Sequence, residues 1–406
     1  MLTTPGLQGN DDGLRLYALR GSHIDFYQDI PPVPRSRDAV IRATLLDLSH
    51  ADELLPTLRF HRYAGTGEDR DAAAGWIAGR LGKRPDLNRV ILTHGTQSAL
   101  TMLLSGLLES GGVLLTEALT YPSVKPLAHV LGLSLRGIAI DGEGLRPDAF
   151  DAACRDRGRK VLYCMPSVHN PTTATMSEAR RRMIVEVARR HGVVILEDDT
   201  YGPFSEHNLP PLAAIAPEIC WHICSLAKSF AVQLRVTLVV APSGDDALRY
   251  FGPTLRMTHW MAAPLSAHVA ALWMRNGRGQ QLFDEVREEA SARQAIANAL
   301  LNGVARQTRP HSLHFWLALP QSRPRQEFVA AARDAGVLVG ASDAFAVPPG
   351  AAPEGVRICL GSPPNRELVR RGLSTLAQLL AENPRSAAPP PDVGAGRTAM
   401  SQMSVS

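Results

Sequence analysis

The stretch VVILEDDTYGPF, residues 193–204, begins as an unbroken apolar run that leads into three carboxylates and a tyrosine. An apolar run of this length without polar alternation reads as a strand covered on both faces. Similar runs lie on either side: VILT (90–93), VLLTEA (113–118), LSLRGIAI (133–140), KVLYCMP (160–166), ICWHICS (219–225) and RVTLVVAP (235–242). Helical stretches separate most of them. One begins at Thr96 and continues through SALTMLLSGLLES; another is SEARRRMIVEVARRHG, where His191-Gly192 supplies the stop. This alternation predicts an α/β fold with a mixed, mostly parallel sheet covered by helices. In such sheets ligands bind at the carboxyl ends of the strands, so the polar residues that follow each run carry the functional information.

From about residue 279 the pattern changes. QQLFDEVREEASARQAIANALLNG reads as one long helix leading to a smaller C-terminal α+β domain. That domain has strands at HFWLALP and VRICLG, and helices at RQEFVAAARDAG and NRELVRRGLSTLAQLLAEN. The expected organisation is an N-terminal arm (1–45), a large domain (46–275), a linking helix with the small domain (276–384), and a disordered Pro/Gly/Ala/Ser-rich tail (385–406).

Composition removes several classes. The 406 residues are 45% hydrophobic and 20% charged, with a formal charge of +4, which is ordinary globular usage. The charge is dispersed, with no basic stripe interleaved with aromatics, so no nucleic-acid partner is expected. No stretch is long and apolar enough to span a bilayer, and no secretory leader is evident. The cysteines, Cys154, Cys164, Cys220, Cys224 and Cys359, are odd in number and scattered, which fits a reducing cytoplasm. Cys220, His222 and Cys224 share one apolar run, but no second ligand pair at metal spacing follows, so no metal is expected.

Three strand ends stand out: MPSVHNPT, ILEDDTYGPF and CSLAKSF, the last followed closely by LRVTLVVAP. In their order and spacing they resemble the class I/II, fold-type-I aminotransferases that use pyridoxal 5′-phosphate. The resemblance is nearest to the branch of aminoadipate and kynurenine aminotransferases and the aminotransferase-like half of MocR-type regulators. It runs from about residue 24 to residue 360.

The resemblance implies a role for each matching residue. Lys228 would hold the cofactor as a Schiff base and carry a proton. Asp198 would pair with the pyridine nitrogen; side chains alternate along a strand, so Asp199 would point elsewhere and reads as a turn residue. Tyr201 and Asn170 would bond the cofactor's phenolic oxygen, with Asn170 also near substrate. Thr96, Gln97, Ser225 and Arg235 would take the phosphate, helped by the free N–H groups of a helix start. Thr96 also reads as an ordinary N-cap. Tyr121 would stack on the ring, and Tyr63 would reach the phosphate of a neighbouring subunit, which implies a homodimer with shared active sites. Arg357 would clamp the α-carboxylate of an amino acid, because a guanidinium fork matches a carboxylate.

The chain departs from the family pattern in places. Ala227 replaces a serine before the lysine, Gln233 a glycine, and Thr173 the glycine after Asn-Pro-Thr; Thr237 and Leu238 stand where a glycine and an aromatic are usual. Tyr27-Gln28-Asp29 occupies a position where related enzymes often carry glycines close to substrate. The resemblance implies transfer of an amino group between an amino acid and a 2-oxo acid. Elimination, decarboxylation or racemisation on the same cofactor is the alternative, and a non-catalytic cofactor-sensing effector of the MocR type ranks third.

Overall fold

All seven apolar runs form strands of one sheet; six are buried along nearly their whole length, and the strand from the LSLRGIAI run lies at the sheet edge and is partly exposed. In chain order they are β1 (Val90–Thr93), β2 (Val113–Glu117), β3 (Ser134–Ile138), β4 (Lys160–Cys164), β5 (Val194–Asp198), β6 (Cys220–Ser225) and β7 (Thr237–Val240). The computed structural model describes residues 22–382, except 53, 157, 206–208, 231, 259–260, 305 and 349–351. The tail expected to be disordered lies outside the described residues.

The spatial order is β1-β7-β6-β5-β4-β2-β3. Neighbours from β6 through β3 are parallel, and β7 runs antiparallel to both β1 and β6. This one reversal shapes the site. It brings the start of β7 to the same sheet edge as the carboxyl ends of β1, β5 and β6, with Thr237 opposite both Thr93 and Ser225. The loop from β6 to β7 therefore stays at that edge and carries both Lys228 and Arg235.

Helices close both faces. Among them are α1 (Gly95–Leu107), directly after β1, and α2 (Glu178–His191), directly before β5. Ser177 caps α2 through its side chain, and Gly192 ends it in the left-handed region. Side chains alternate along the buried strands. Leu92, Leu115 and Ile195 pack into the core on one face, and Ile91, Leu114 and Leu196 into the core on the other.

The long helix α3 (Arg278–Leu300) leads to a second sheet of four antiparallel strands. These are β8 (Arg306–Gln307), β9 (His314–Ala318), β10 (Gly340–Ala341) and β11 (Gly355–Cys359), in the order β8-β9-β11-β10. They have their own core, which includes Phe315, Phe328, Ile358 and Leu373. The N-terminal segment joins this core. Ile24–Asp25 pairs in parallel with Val337–Leu338, and Ile24 and Phe26 are buried in the same cluster.

Candidate active site

The site forms where the reversed strand, the small sheet and the N-terminal segment meet. Lys228 lies in the β6–β7 loop, which is closed by a bond from Leu226 N–H to the Val236 carbonyl at 3.0 Å. Its side chain is only 16% exposed. The ammonium donates to the Asp29 main-chain carbonyl, lies 3.4 Å from Asp29 Oδ2 and sits 5.8 Å above the Tyr201 ring. Lys228 is therefore turned inward and held by charge, unlike an ordinary surface lysine.

Asp198 ends β5 and is buried. Its Oδ2 accepts from the Tyr163 hydroxyl at 2.8 Å; its Oδ1 accepts from Thr200 N–H at 3.1 Å and from Thr200 Oγ1 at 2.5 Å. Burial raises the pKa of this carboxyl, and the three donors only partly oppose the shift. A buried carboxylate in that condition favours a cationic partner.

Asp199 corrects the turn reading. It is fully buried on the other side of the strand. Arg80 grips it with Nε at 2.9 Å and Nη2 at 3.0 Å, and His222 Nε2 adds a bond at 3.0 Å. Burial alone would raise its pKa, but the Arg80 charge and the His222 hydrogen bond outweigh burial and hold it below the usual carboxylate range. His222, considered above as a metal ligand, is engaged here.

The phosphate-side residues meet at the start of α1. His94 occupies the N-cap position and makes no side-chain capping bond, so the helix begins at Gly95 and Thr96 is not the cap. Gly95 has φ +81°, and a Cβ there would lie 3.2 Å from Arg235 Nη2. The guanidinium thus packs directly on the helix start, and the positive φ there favours glycine. Arg235 itself has φ +54°. Thr96 Oγ1 is 3.5 Å from Thr237 Oγ1, and Ser225 Oγ accepts from Ala227 N–H at 3.3 Å. Gln97 turns away toward Tyr121, donating to its hydroxyl at 3.3 Å and to Ser123 Oγ at 2.9 Å. His94, Gln97 and Arg235 also line an open cleft of about 510 Å³ that extends to Met261 and Pro264.

Arg357, on β11, is buried with its side chain over the Phe345 ring at 4.7 Å. Nη1 donates to Asn170 Oδ1 and Nη2 to the Tyr27 carbonyl, both at 2.8 Å, while Nε has no hydrogen-bond partner. Asn170 precedes a cis peptide bond to Pro171. Thr173, which replaces a glycine of the pattern, has φ +59°. That is a left-handed conformation disfavoured for a β-branched residue. The family glycine therefore has a backbone reason, which this chain overrides.

Sequence reasoning missed His314 and the depth to which Asp29 enters. His314, on β9, is buried with its ring 5.4 Å from that of Tyr201. Burial pushes its pKa down to about 4, so the imidazole is neutral at pH 7. Asp29 Oδ2 accepts from the buried Tyr201 hydroxyl and lies 4.0 Å from Arg357 Nη1. The Tyr27-Gln28-Asp29 departure was the available signal. For His314 nothing in the sequence distinguished it from a core strand residue. Tyr63 packs against the core with its ring 5.3 Å from that of His61; the role read for it crosses a subunit boundary.

Comparison with known proteins decides the family. The model of the aminotransferase class I and II family matches residues 29–376. This chain belongs to that family. Its cofactor is pyridoxal 5′-phosphate. The 2-aminoadipate transaminase of Thermus thermophilus is 27% identical over 256 residues, covering 61% of this chain and 64% of that protein. An uncharacterized HTH-type transcriptional regulator of Bacillus subtilis, YdeF, is 28% identical over 328 residues, covering 79% of this chain and 70% of the regulator. Against two further B. subtilis proteins described as such regulators, YdfD and YisV, the chain spans 58% and 50% of their length. In three dimensions the kynurenine aminotransferase of Pyrococcus horikoshii superposes with a TM-score of 0.82 at 18% identity, covering 94% of this chain and 95% of that one. This likeness shows the shared fold.

The residues present fit the cofactor. The buried Asp198 carboxyl suits a pyridinium, and the Gly95–Arg235 contact at an uncapped helix start suits a phosphate. The Ser229 hydroxyl, next to Lys228, is buried without a hydrogen-bond partner.

Proposed function

We propose that this chain is an aminotransferase that moves an amino group between an amino acid and a 2-oxo acid, with Lys228 as its reacting amine. One observation carries the reading. Lys228 Nζ and Arg357 Nη1 flank a single carboxylate oxygen, Asp29 Oδ2, at 3.4 Å and 4.0 Å. An amine and a candidate carboxylate clamp thus converge on one point of the site.

Bound pyridoxal phosphate supplies an electrophilic carbonyl and a ring that withdraws electrons from the substrate Cα. Everything else falls to the chain. Arg357 fixes the α-carboxylate, and Asn170 fixes Arg357 through Oδ1. Lys228, held over the edge of the site, takes the proton from Cα and returns it nearby. Asp198 keeps the ring nitrogen protonated, supported by Tyr163 and Thr200. Tyr201, whose ring lies 5.8 Å from the Lys228 amine, would hydrogen-bond the phenolic oxygen of the cofactor. The start of α1 with Arg235 and Ser225 anchors the phosphate, and Tyr121 covers the ring.

The homodimer belongs to the same reading. Leu45, Leu46, Leu55, Leu58 and Phe60 expose between 57% and 78% of their surface on the segment just before Tyr63. Apolar side chains clustered in this way mark an interaction surface. They support a second copy docking there and delivering Tyr63 to its neighbour.

The test is a screen of amino donors against the loaded protein, followed in the visible spectrum of the cofactor. Conversion by at least one donor, reversed by a 2-oxo acid and lost in Lys228→Ala, is the expected result. No conversion by any donor overturns the reading. The relatives described as transcriptional regulators favour a second reading, in which the site senses an amine without turning it over. Spectral binding without release of any 2-oxo acid would establish it.

A further inference from the structure

We propose that Asp29 is a specificity-determining residue that favours amino donors bearing a second cationic group over dicarboxylic donors. This rests on the aminotransferase reading above and adds a substrate class to it.

The N-terminal segment is locked where it crosses the site. Asp25 Oδ1 accepts from Tyr27 N–H at 2.8 Å and Gln28 N–H at 3.0 Å, which forms a tight turn. Phe26 N–H bonds the Leu338 carbonyl and Cys359 N–H bonds the Phe26 carbonyl, both at 2.9 Å. Farther on, a Cβ at Gly361 would lie 2.0 Å from the Ile30 carbonyl oxygen, so the segment runs flush against the exit of β11. Asp29 is fixed between these anchors.

Its carboxylate then has two different oxygens. Oδ2 is satisfied by Tyr201 and lies beside Lys228 and Arg357. Oδ1 is buried and has no hydrogen-bond partner. The whole side chain is 10% exposed. A buried carboxylate oxygen without a donor is costly, and a ligand N–H is the group that relieves it.

Charge gives the direction of the preference. Burial would raise the Asp29 pKa, but the Lys228 and Arg357 charges outweigh it and hold the pKa below the usual value, so the group is anionic at pH 7. His314 is neutral at that pH and contributes no compensating charge. A donor's α-carboxylate at Arg357 therefore already sits beside one negative charge. A second carboxylate adds repulsion in a buried site, whereas an ammonium or guanidinium adds attraction and a donor for Oδ1. A pocket selects through the difference between these two cases.

The experiment compares donors matched in length on the loaded enzyme, wild type and Asp29→Asn. Single-turnover conversion of the cofactor is measured with free lysine, norleucine and 2-aminoadipate. In parallel, adipate and 6-aminohexanoate, which lack an α-amino group, are titrated as probes against protein whose Schiff base has been reduced with borohydride, so that neither can condense with the cofactor. Wild type should prefer lysine to 2-aminoadipate, and Asp29→Asn should shrink that ratio at least tenfold. The affinity ratio of 6-aminohexanoate to adipate should move the same way. An equal gain for all donors would show a displaced plug rather than a selector, and would overturn the proposal. An unchanged ratio would do the same. If Asp29→Asn does not fold, the wild-type ratios decide, because a dicarboxylate preference in either series overturns the proposal. If no donor converts the cofactor, the aminotransferase reading fails, and the probe affinities still decide the charge preference of Asp29.

Discussion

The Tyr163 hydroxyl reaches across from β4 to donate to Asp198 Oδ2 on β5 at 2.8 Å. Tyr163 lies opposite Leu196 in the register, so Asp198 is its diagonal neighbour on the same face of the sheet. An aromatic side chain spans that diagonal, and a short one does not. The bond offsets part of the burial that raises the Asp198 pKa.

Removing this one donor should therefore weaken the hold on the cofactor without disturbing the fold. A hydrogen bond to a charged group contributes about 1.5–3 kcal/mol. We expect Tyr163→Phe to raise the cofactor dissociation constant by roughly tenfold or more, since about 1.4 kcal/mol is a factor of ten. Equilibrium titration of the apo-protein with pyridoxal phosphate measures this directly. An unchanged constant would mean that Thr200 alone holds Asp198.

Arg80 has a different task. It neutralises Asp199, the carboxylate behind the site, which is fully buried while Arg80 itself stays 14% exposed. Breaking a buried ion pair from one side leaves an unpaired charge, which costs about 3–5 kcal/mol. We expect Arg80→Ala to lose about that much stability by denaturant unfolding. Asp199→Asn should lose less, because the guanidinium it leaves behind is 14% exposed and still donates to the Leu209 carbonyl at 3.2 Å. Equal losses would show that packing, not charge, is what Arg80 provides.

These two arrangements mark where the sequence stops being informative. The strands were legible because their apolar runs are uninterrupted, and six of the seven begin or end within one residue of the run. The order of the motifs located Lys228, Asp198 and Arg357. Two features were not legible. The reversal of β7 is invisible, because an antiparallel strand buried on both faces has the same composition as a parallel one. The environment of Asp199 depends on Arg80, 119 residues away in the chain, and no local pattern announces such a pairing. His314 was hidden for a similar reason. It sits in an apolar strand of the small sheet, and only the packing of that sheet brings it near Tyr201.

Thr173 offers a test of backbone strain beside the substrate clamp. Its φ of +59° suits glycine, and its hydroxyl is buried without a hydrogen-bond partner. Thr173→Gly and Thr173→Ala both remove the hydroxyl and the β-branch, but only glycine also removes the Cβ and relaxes the left-handed conformation. We expect the glycine variant to be more stable than the alanine variant by about 1 kcal/mol. Thermal unfolding of the pair measures the difference. Equal stability would show that the surrounding loop adjusts at no cost.

Glu117 links the fold to pH. It ends β2 in full burial, with Oε1 accepting from Met165 N–H at 2.9 Å and Oε2 without a partner. Burial pushes its pKa up to about 8, so the folded protein holds a proton there that the unfolded chain releases above about pH 4.5. Unfolding then liberates a proton, and raising the pH favours the unfolded state. The stability is fully present below the unfolded pKa and is lost as pH rises toward 8. Glutamine keeps the acceptor for Met165 and removes the titration. Glu117→Gln should match wild type near pH 5 and become the more stable protein by pH 8, with the gap widening by ~3 kcal/mol across that interval. His169 and His314, pushed down to about 3 and about 4 by burial, act in the opposite direction: both variants should lose stability together as pH falls below about 6.5. Unfolding curves at pH 5, 6, 7 and 8 separate the two effects. A gap that stays constant with pH would mean that Glu117 is ionised in the folded protein and that something unaccounted for stabilises its charge.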